Sequence, residues 1–125
     1  MAIHKVLVVD DSKTELVFLT EMLEKNGFSV KTAENADAAM SQLAREQPDL
    51  ILMDIVMPGK NGFQLTRQIA RDPRYGAVPI IMCTSKDQET DRTWGLRQGA
   101  RDYLVKPINA AELMTKINAL TQAVP

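Results

Sequence analysis

A chain of 125 residues amounts to one domain, long enough to bury a core without disulfides or a structural metal. Its 15 basic and 16 acidic residues leave a net charge of −1, without the basic surplus of a general nucleic-acid binder or a polybasic membrane anchor. A single cysteine, Cys83, and a single histidine, His4, exclude an internal disulfide framework and a Cys/His zinc site.

The first apolar run, Lys5–Val9, predicts a strand and stops at Asp10-Asp11. It is too short for a signal-peptide core, and no stretch approaches the roughly 20 apolar residues of a membrane span, so the cytoplasm is the expected location. Ser12-Lys13-Thr14-Glu15 reads as a capping box, with Ser12 accepting from a backbone N–H and Glu15 reaching back. The helix it opens carries Leu16, Leu19, Met22 and Leu23 at helical spacing and ends at Asn26-Gly27. A second strand, Ser29–Thr32, precedes a helix from Ala36 to Glu46 that stops before Pro48. A third strand, Leu50–Met53, ends in Asp54, and its helix runs from Asn61-Gly62 to Asp72-Pro73.

The fourth strand, Ile80–Cys83, ends in Thr84-Ser85. Within it Cys83 reads as a small buried core residue rather than a reactive thiol. The helix from Gln88 to Gln98 stops at Gly99, and Trp94 and Leu96 are its only large apolar residues. So thin an apolar face predicts weak docking. Trp94 has two readings, a plain core contact or, with Tyr103 and the last helix, a partner surface. The fifth strand, Tyr103–Val105, ends in Lys106-Pro107. The last helix starts at Asn109 or Ala110, with Leu113, Ile117 and Leu120 as its buried stripe.

Five βα units in succession imply an α/β fold, a parallel sheet with helices on both faces. No linker, repeat or low-complexity segment divides residues 1–125, so a single domain is expected. Ligands of such sheets gather at the carboxyl ends of the strands. There Asp10, Asp11 and Asp54 repel one another and need a cation or shifted pKa values to coexist. An oxygen-rich site of this kind suits Mg²⁺. Lys106 offsets more of the charge, and with the metal it can clamp phosphoryl oxygens. An aspartate carboxylate can be the nucleophile that becomes an aspartyl phosphate. Taken singly, each residue has a bland reading. Asp10 and Asp11 suit a helix N-terminus, Thr84 a turn and Lys106 the surface, whereas Asp54 has no evident capping task.

Val8-Val9-Asp10-Asp11-Ser12, Leu52-Met53-Asp54-Ile55-Val56-Met57-Pro58-Gly59-Lys60-Asn61-Gly62, Cys83-Thr84-Ser85 and Gly99 to Pro107 resemble the receiver domain of bacterial two-component response regulators. The resemblance covers essentially the whole chain, as in stand-alone, CheY-like regulators without an output domain. The segment from Lys86 to Gly99 further resembles the PilH-type regulators of type IV pilus twitching-motility chemosensory systems. The resemblance implies a five-stranded flavodoxin-like sheet of order 2-1-3-4-5. It implies Asp54 as phosphoacceptor, and Mg²⁺ held by Asp11, Asp54 and the Val56 carbonyl, with Asp10 holding the metal's water shell. It further implies Lys106 and Thr84, with Ser85, about the phosphoryl group, and a cis peptide before Pro107. Thr84 and Tyr103 form the implied switch pair, with Tyr103 turning inward on activation. Val56 and Lys86 occupy positions that tune the phosphoryl lifetime.

The implied donor is a phosphohistidine on a sensor histidine kinase with a CheA-like phosphotransfer domain. The implied reader is a downstream motility protein, with the regulator a monomer that binds neither nucleic acid nor membrane. The chemistry expected is its own phosphorylation and dephosphorylation, not turnover of a substrate. A phosphate sink that drains a shared kinase needs the same pocket and stays open. An aspartate-nucleophile phosphatase resembles Asp-x-Asp after the first strand, where this chain has adjacent aspartates. A flavin binder wants a Ser-, Thr- or Gly-rich loop at that point, and Asp10-Asp11-Ser12 would repel its phosphate.

Overall fold

The computed structural model describes residues 2–122, the side chain of Gln122 excepted. The elements alternate in order: β1 (Lys5–Val9), α1 (Lys13–Lys25), β2 (Ser29–Ala33), α2 (Ala36–Arg45), β3 (Leu50–Met53), α3 (Gly62–Arg71), β4 (Ile80–Thr84), α4 (Glu89–Gln98), β5 (Asp102–Val105) and α5 (Ala110–Gln122). The strands form one parallel sheet of order β2-β1-β3-β4-β5, the expected flavodoxin-like arrangement. Boundaries differ from the sequence reading by a residue or so at several ends. Thr84 closes β4 instead of following it, because it pairs with Val105 of β5.

Successive strand side chains point to opposite faces, so each strand feeds two cores. On one face Leu7, Val9, Ile51, Met53, Ile80 and Met82 meet Ala39 and Leu43 of α2 and Leu65 and Ile69 of α3. On the other, Val6, Val8, Leu50, Leu52, Ile81 and Cys83 meet Leu16, Leu19 and Leu23 of α1 and Leu113 and Ile117 of α5. Cys83 is buried and free, as expected, and burial pushes its thiol well above the ordinary range. Met22 and Leu120 are only partly buried, packing against the rim of that second core. Among the described residues no helix is long and apolar enough to cross a membrane.

From β1 the chain steps to one side to form β2 and then crosses back to the other side of β1 to form β3, so β1 and β3 are neighbours across the point where strand order reverses. A crevice opens at such a point, at the strands' carboxyl ends. The register holds that crevice tightly. The Asp54 N–H donates to the Val9 carbonyl at 2.9 Å and the Lys106 N–H to the Thr84 carbonyl at 2.8 Å, extending the ladders past the strand ends.

Candidate functional site

Four of the expected residues converge in the crevice. Asp10 and Asp11 follow β1 and Asp54 follows β3, and each offers a carboxylate oxygen within 4.8 Å of the others. Asp10 and Asp54 are buried and Asp11 is exposed. The Lys106 ammonium, following β5, donates to Asp10 Oδ2 at 2.7 Å and, more weakly, to Asp54 Oδ2 at 3.4 Å. One cation therefore faces three carboxylates, a surplus of negative charge that leaves room for a divalent ion on the exposed Asp11 side. All-oxygen donors with one open side suit Mg²⁺, which keeps several of its waters.

Electrostatics set Asp54 apart. Burial raises its pKa above the ordinary carboxylate value, and the Asp10 charge raises it further. The Lys106 charge, a hydrogen bond from Thr84 and the Ile55 N–H oppose that rise without cancelling it. The Ile55 N–H lies 2.8 Å from Asp54 Oδ1 and fixes the carboxylate's rotation. Burial works against the charged form of Lys106, but the Asp10 hydrogen bond and the Asp54, Asp10 and Glu15 charges outweigh it, so its pKa is raised.

Asp10 performs the capping task as well. Its Oδ1 accepts from the Ser12 N–H at 2.9 Å while Oδ2 meets Lys106. The predicted capping box is thus only half made. Ser12 Oγ accepts from the Glu15 N–H at 3.3 Å, but the Ser12 N–H that Glu15 was to satisfy already belongs to Asp10.

Thr84 is fully buried, and its hydroxyl reaches Asp54 on one side and accepts from the Lys86 N–H at 3.4 Å on the other. Ser85 and Lys86 are exposed in the loop that follows. Val56 is 55% exposed at the rim, where its side chain meets solvent. The Lys106–Pro107 peptide is cis.

Two expectations are corrected. Tyr103 is not a surface residue in this conformation. The residue is only 4% exposed, and its hydroxyl donates to the Lys86 carbonyl at 2.7 Å. Burial and the Asp91, Asp54 and Asp87 charges push its pKa up to about 12. Trp94 in turn is no core contact, being 48% exposed. The inward position on α4 belongs to Gly95, where an added Cβ would lie 3.4 Å from Met82 Cγ and from the Tyr103 ring. Trp94 and Leu96 flank that glycine and are turned outward.

One position went unread in the sequence except as a helix start. A Cβ on Gly62 would stand 2.0 Å from the Asp54 carbonyl oxygen, so only glycine lets α3 begin this close to Asp54. Its N–H donates to the Ile55 carbonyl at 2.8 Å. The signal lay in the Pro58-Gly59-Lys60-Asn61-Gly62 turn, where the second glycine has no positive-φ task.

A parallel sheet whose switch point gathers carboxylates opposite a lysine defines a class of signalling domain. The chain belongs to the response regulator receiver domain family, which it matches over residues 6–118. It is similar to Protein PilH of Pseudomonas aeruginosa, 54% identical over 116 residues that span 93% of this chain and 96% of that protein. It is also similar to the phosphate regulon transcriptional regulatory protein PhoB of Escherichia coli, at 37% identity over 97% of this chain and 53% of PhoB. Among solved structures, Vibrio cholerae chemotaxis protein CheY4 superposes with a TM-score of 0.86 at 30% identity, covering 94% of this chain and 98% of that one. A two-component response regulator from Clostridium difficile superposes with a TM-score of 0.89 at 28% identity, covering 96% and 97%.

Proposed function

We propose that this receiver is a phosphorylatable switch in which Asp54 is the acceptor. The observation that carries the reading is the placement of Asp54, buried at the switch point with Lys106 at 3.4 Å and two further carboxylates beside it. In the proposed step an Asp54 carboxylate oxygen attacks the phosphorus of a kinase phosphohistidine. A P–O bond forms, the P–N bond breaks, and the electron pair returns to the imidazole. Asp10, Asp11, Asp54 and the Val56 carbonyl would hold Mg²⁺, which supplies positive charge to the phosphoryl oxygens. Lys106 supplies a second positive charge, and the Thr84 hydroxyl a hydrogen bond. The Ile55 N–H keeps the nucleophile oriented.

The added charge then favours a different arrangement of the strand-end loops. Thr84, Lys86 and Tyr103 form the reading chain: Thr84 meets Asp54 and the Lys86 N–H, and the Lys86 carbonyl meets the Tyr103 hydroxyl. Trp94, exposed on α4, is the surface that a partner reads. The chemistry is confined to the protein's own phosphorylation and dephosphorylation, in the cytoplasm. The kinase is of the CheA-like kind and the process is twitching motility, a reading supported by the 54% identity to PilH.

Incubation with Mg²⁺ and acetyl phosphate, followed by intact-mass measurement, tests the core claim. A phosphate-sized gain that disappears in Asp54→Ala is expected, and no gain in the wild type would refute it. Val56→Asn, which offers a water a hydrogen-bond partner at the exposed rim, is expected to change the phosphoryl half-life; equal half-lives would remove Val56 from the mechanism. Complementation of a P. aeruginosa strain lacking PilH tests the motility assignment, with restored twitching as the expected result.

A further inference from the structure

α3 meets the nucleophile's backbone at Gly62. A Cβ there would stand 2.0 Å from the Asp54 carbonyl oxygen and 2.8 Å from both the Asp54 carbonyl carbon and the Ile55 Cα. The Gly62 N–H donates to the Ile55 carbonyl at 2.8 Å. The helix behind this contact has little freedom to retreat. The Asn61–Gln64 capping box holds its start, and Leu65, Thr66 and Ile69 are buried along its length.

The peptide pressed against Gly62 is the one that orients the carboxylate. Asp54 supplies its carbonyl and Ile55 its N–H, and the group moves as one plane. In a trans peptide those two groups point in opposite directions. Here the carbonyl lies against Gly62, and the N–H meets Asp54 Oδ1 at 2.8 Å. Oδ2 is left toward Lys106 at 3.4 Å. The backbone is tied on both sides of this plane. The Asp54 N–H donates to the Val9 carbonyl at 2.9 Å, and the Ile55 carbonyl accepts from Gly62. A push from α3 therefore falls on the plane between those ties.

We propose that Gly62 is a positioning residue for phosphoryl transfer, which sets the Asp54–Ile55 peptide plane so that the Ile55 N–H stays on Asp54 Oδ1 and Oδ2 stays on the Lys106 side. The inference rests on the receiver reading above. A side chain at position 62 turns the plane and withdraws the N–H from Oδ1. The carboxylate is then free to rotate about its Cβ–Cγ bond. Phosphoryl transfer needs the attacking oxygen roughly in line with the leaving group, so a loose carboxylate loses rate by orientation. Gly62 touches neither phosphorus nor metal and acts through the shared peptide alone.

The test compares Gly62→Ala with Leu65→Ala, which loosens the same helix without touching the peptide. Both are measured in the cold, with rates normalised to the folded fraction. Phosphorylation by acetyl phosphate and Mg²⁺ is expected to slow about ten- to hundredfold in Gly62→Ala and to stay within about twofold of wild type in Leu65→Ala. The Ile55 amide proton resonance reports the N–H···Oδ1 bond directly. It is expected to move upfield in Gly62→Ala and to stay in place in Leu65→Ala. Equal normalised rates in the two variants, or an unmoved Ile55 amide in Gly62→Ala, would overturn the proposal. A semisynthetic protein with an ester between Asp54 and Ile55 covers the case in which Gly62→Ala does not fold. It removes the N–H and adds no bulk, and it is expected to be phosphorylated about tenfold more slowly. Phosphorylation of the ester at the wild-type rate would equally overturn the role of Gly62. If wild type takes up no phosphate, the receiver reading falls, and the Ile55 resonance alone still decides whether Gly62 sets the peptide.

Discussion

α3 and α4 are both ten residues long, and each follows a strand that delivers a site residue, yet they are held in different ways. α3 opens with a reciprocal capping box, Asn61 accepting from the Gln64 N–H and Gln64 from the Asn61 N–H, both at 2.9 Å. It buries Gly62, Leu65, Thr66 and Ile69. α4 buries Gly95 alone. A helix anchored along its length moves with the sheet, whereas a helix resting on one glycine can shift at small cost. The anchored one stands behind the nucleophile, where geometry must not change. The lightly held one covers Tyr103, where a response has to be transmitted.

The largest expected effect would break the anchored side. Gly62→Ala drives a methyl into the Asp54 carbonyl and is expected to cost about 4 kcal/mol or more, read by urea unfolding. A loss under about 1 kcal/mol would show that α3 can retreat from Asp54.

Truncation sharpens the contrast. Leu65→Ala, at a fully buried position of α3, is expected to lose about 3 kcal/mol. Trp94→Ala, half-exposed on α4, is expected to lose about 0.5 kcal/mol while weakening partner binding. Equal losses would remove the distinction between the helices.

Asp54→Asn removes a buried charge whose pKa is raised in the folded state and is expected to stabilise the metal-free protein by about 1 kcal/mol at neutral pH. The sign follows from linkage. A carboxyl with a raised folded pKa binds its proton more tightly when folded, so stability falls as pH rises from the unfolded value of 3.8 through the folded one. The advantage of Asn should therefore be full above the folded pKa and shrink as pH drops toward 3.8. A melting-temperature difference that stays constant over that range would contradict the burial of Asp54's charge.

A last, small effect reverses the sign of the first. Gly95→Ala puts a methyl in ordinary contact with Met82 and Tyr103 and improves the helix, for an expected gain of about 0.5–1 kcal/mol. The same substitution is thus expected to wreck one helix and firm the other, with the firmer α4 holding Tyr103 inward. Slower hydrogen exchange in α4 would accompany the gain.

Much of this molecule is legible along the chain. Short apolar runs and amphipathic stretches alternate, so five βα units follow from local periodicity. The strand-end rule then brings Asp10, Asp11, Asp54 and Lys106 together, because their spacing is counted from strand ends. Side-chain direction on a weak helix is not legible in this way. α4 has no strong apolar stripe, so the chain alone did not reveal that Gly95 faces inward and Trp94 outward. Nor did it reveal that Tyr103 lies under that glycine, tied to the Lys86 carbonyl. Ser12-x-x-Glu15 is a sound local signal whose second half was overruled by Asp10, two residues earlier and placed by the turn out of β1. Periodicity and capping chemistry decide elements because they act within a few residues of one another. The fit of α3's first residue against the Asp54 backbone, and the burial of Tyr103 against Gly95, depend on atoms brought together from distant parts of the chain, and only the packed structure decides them.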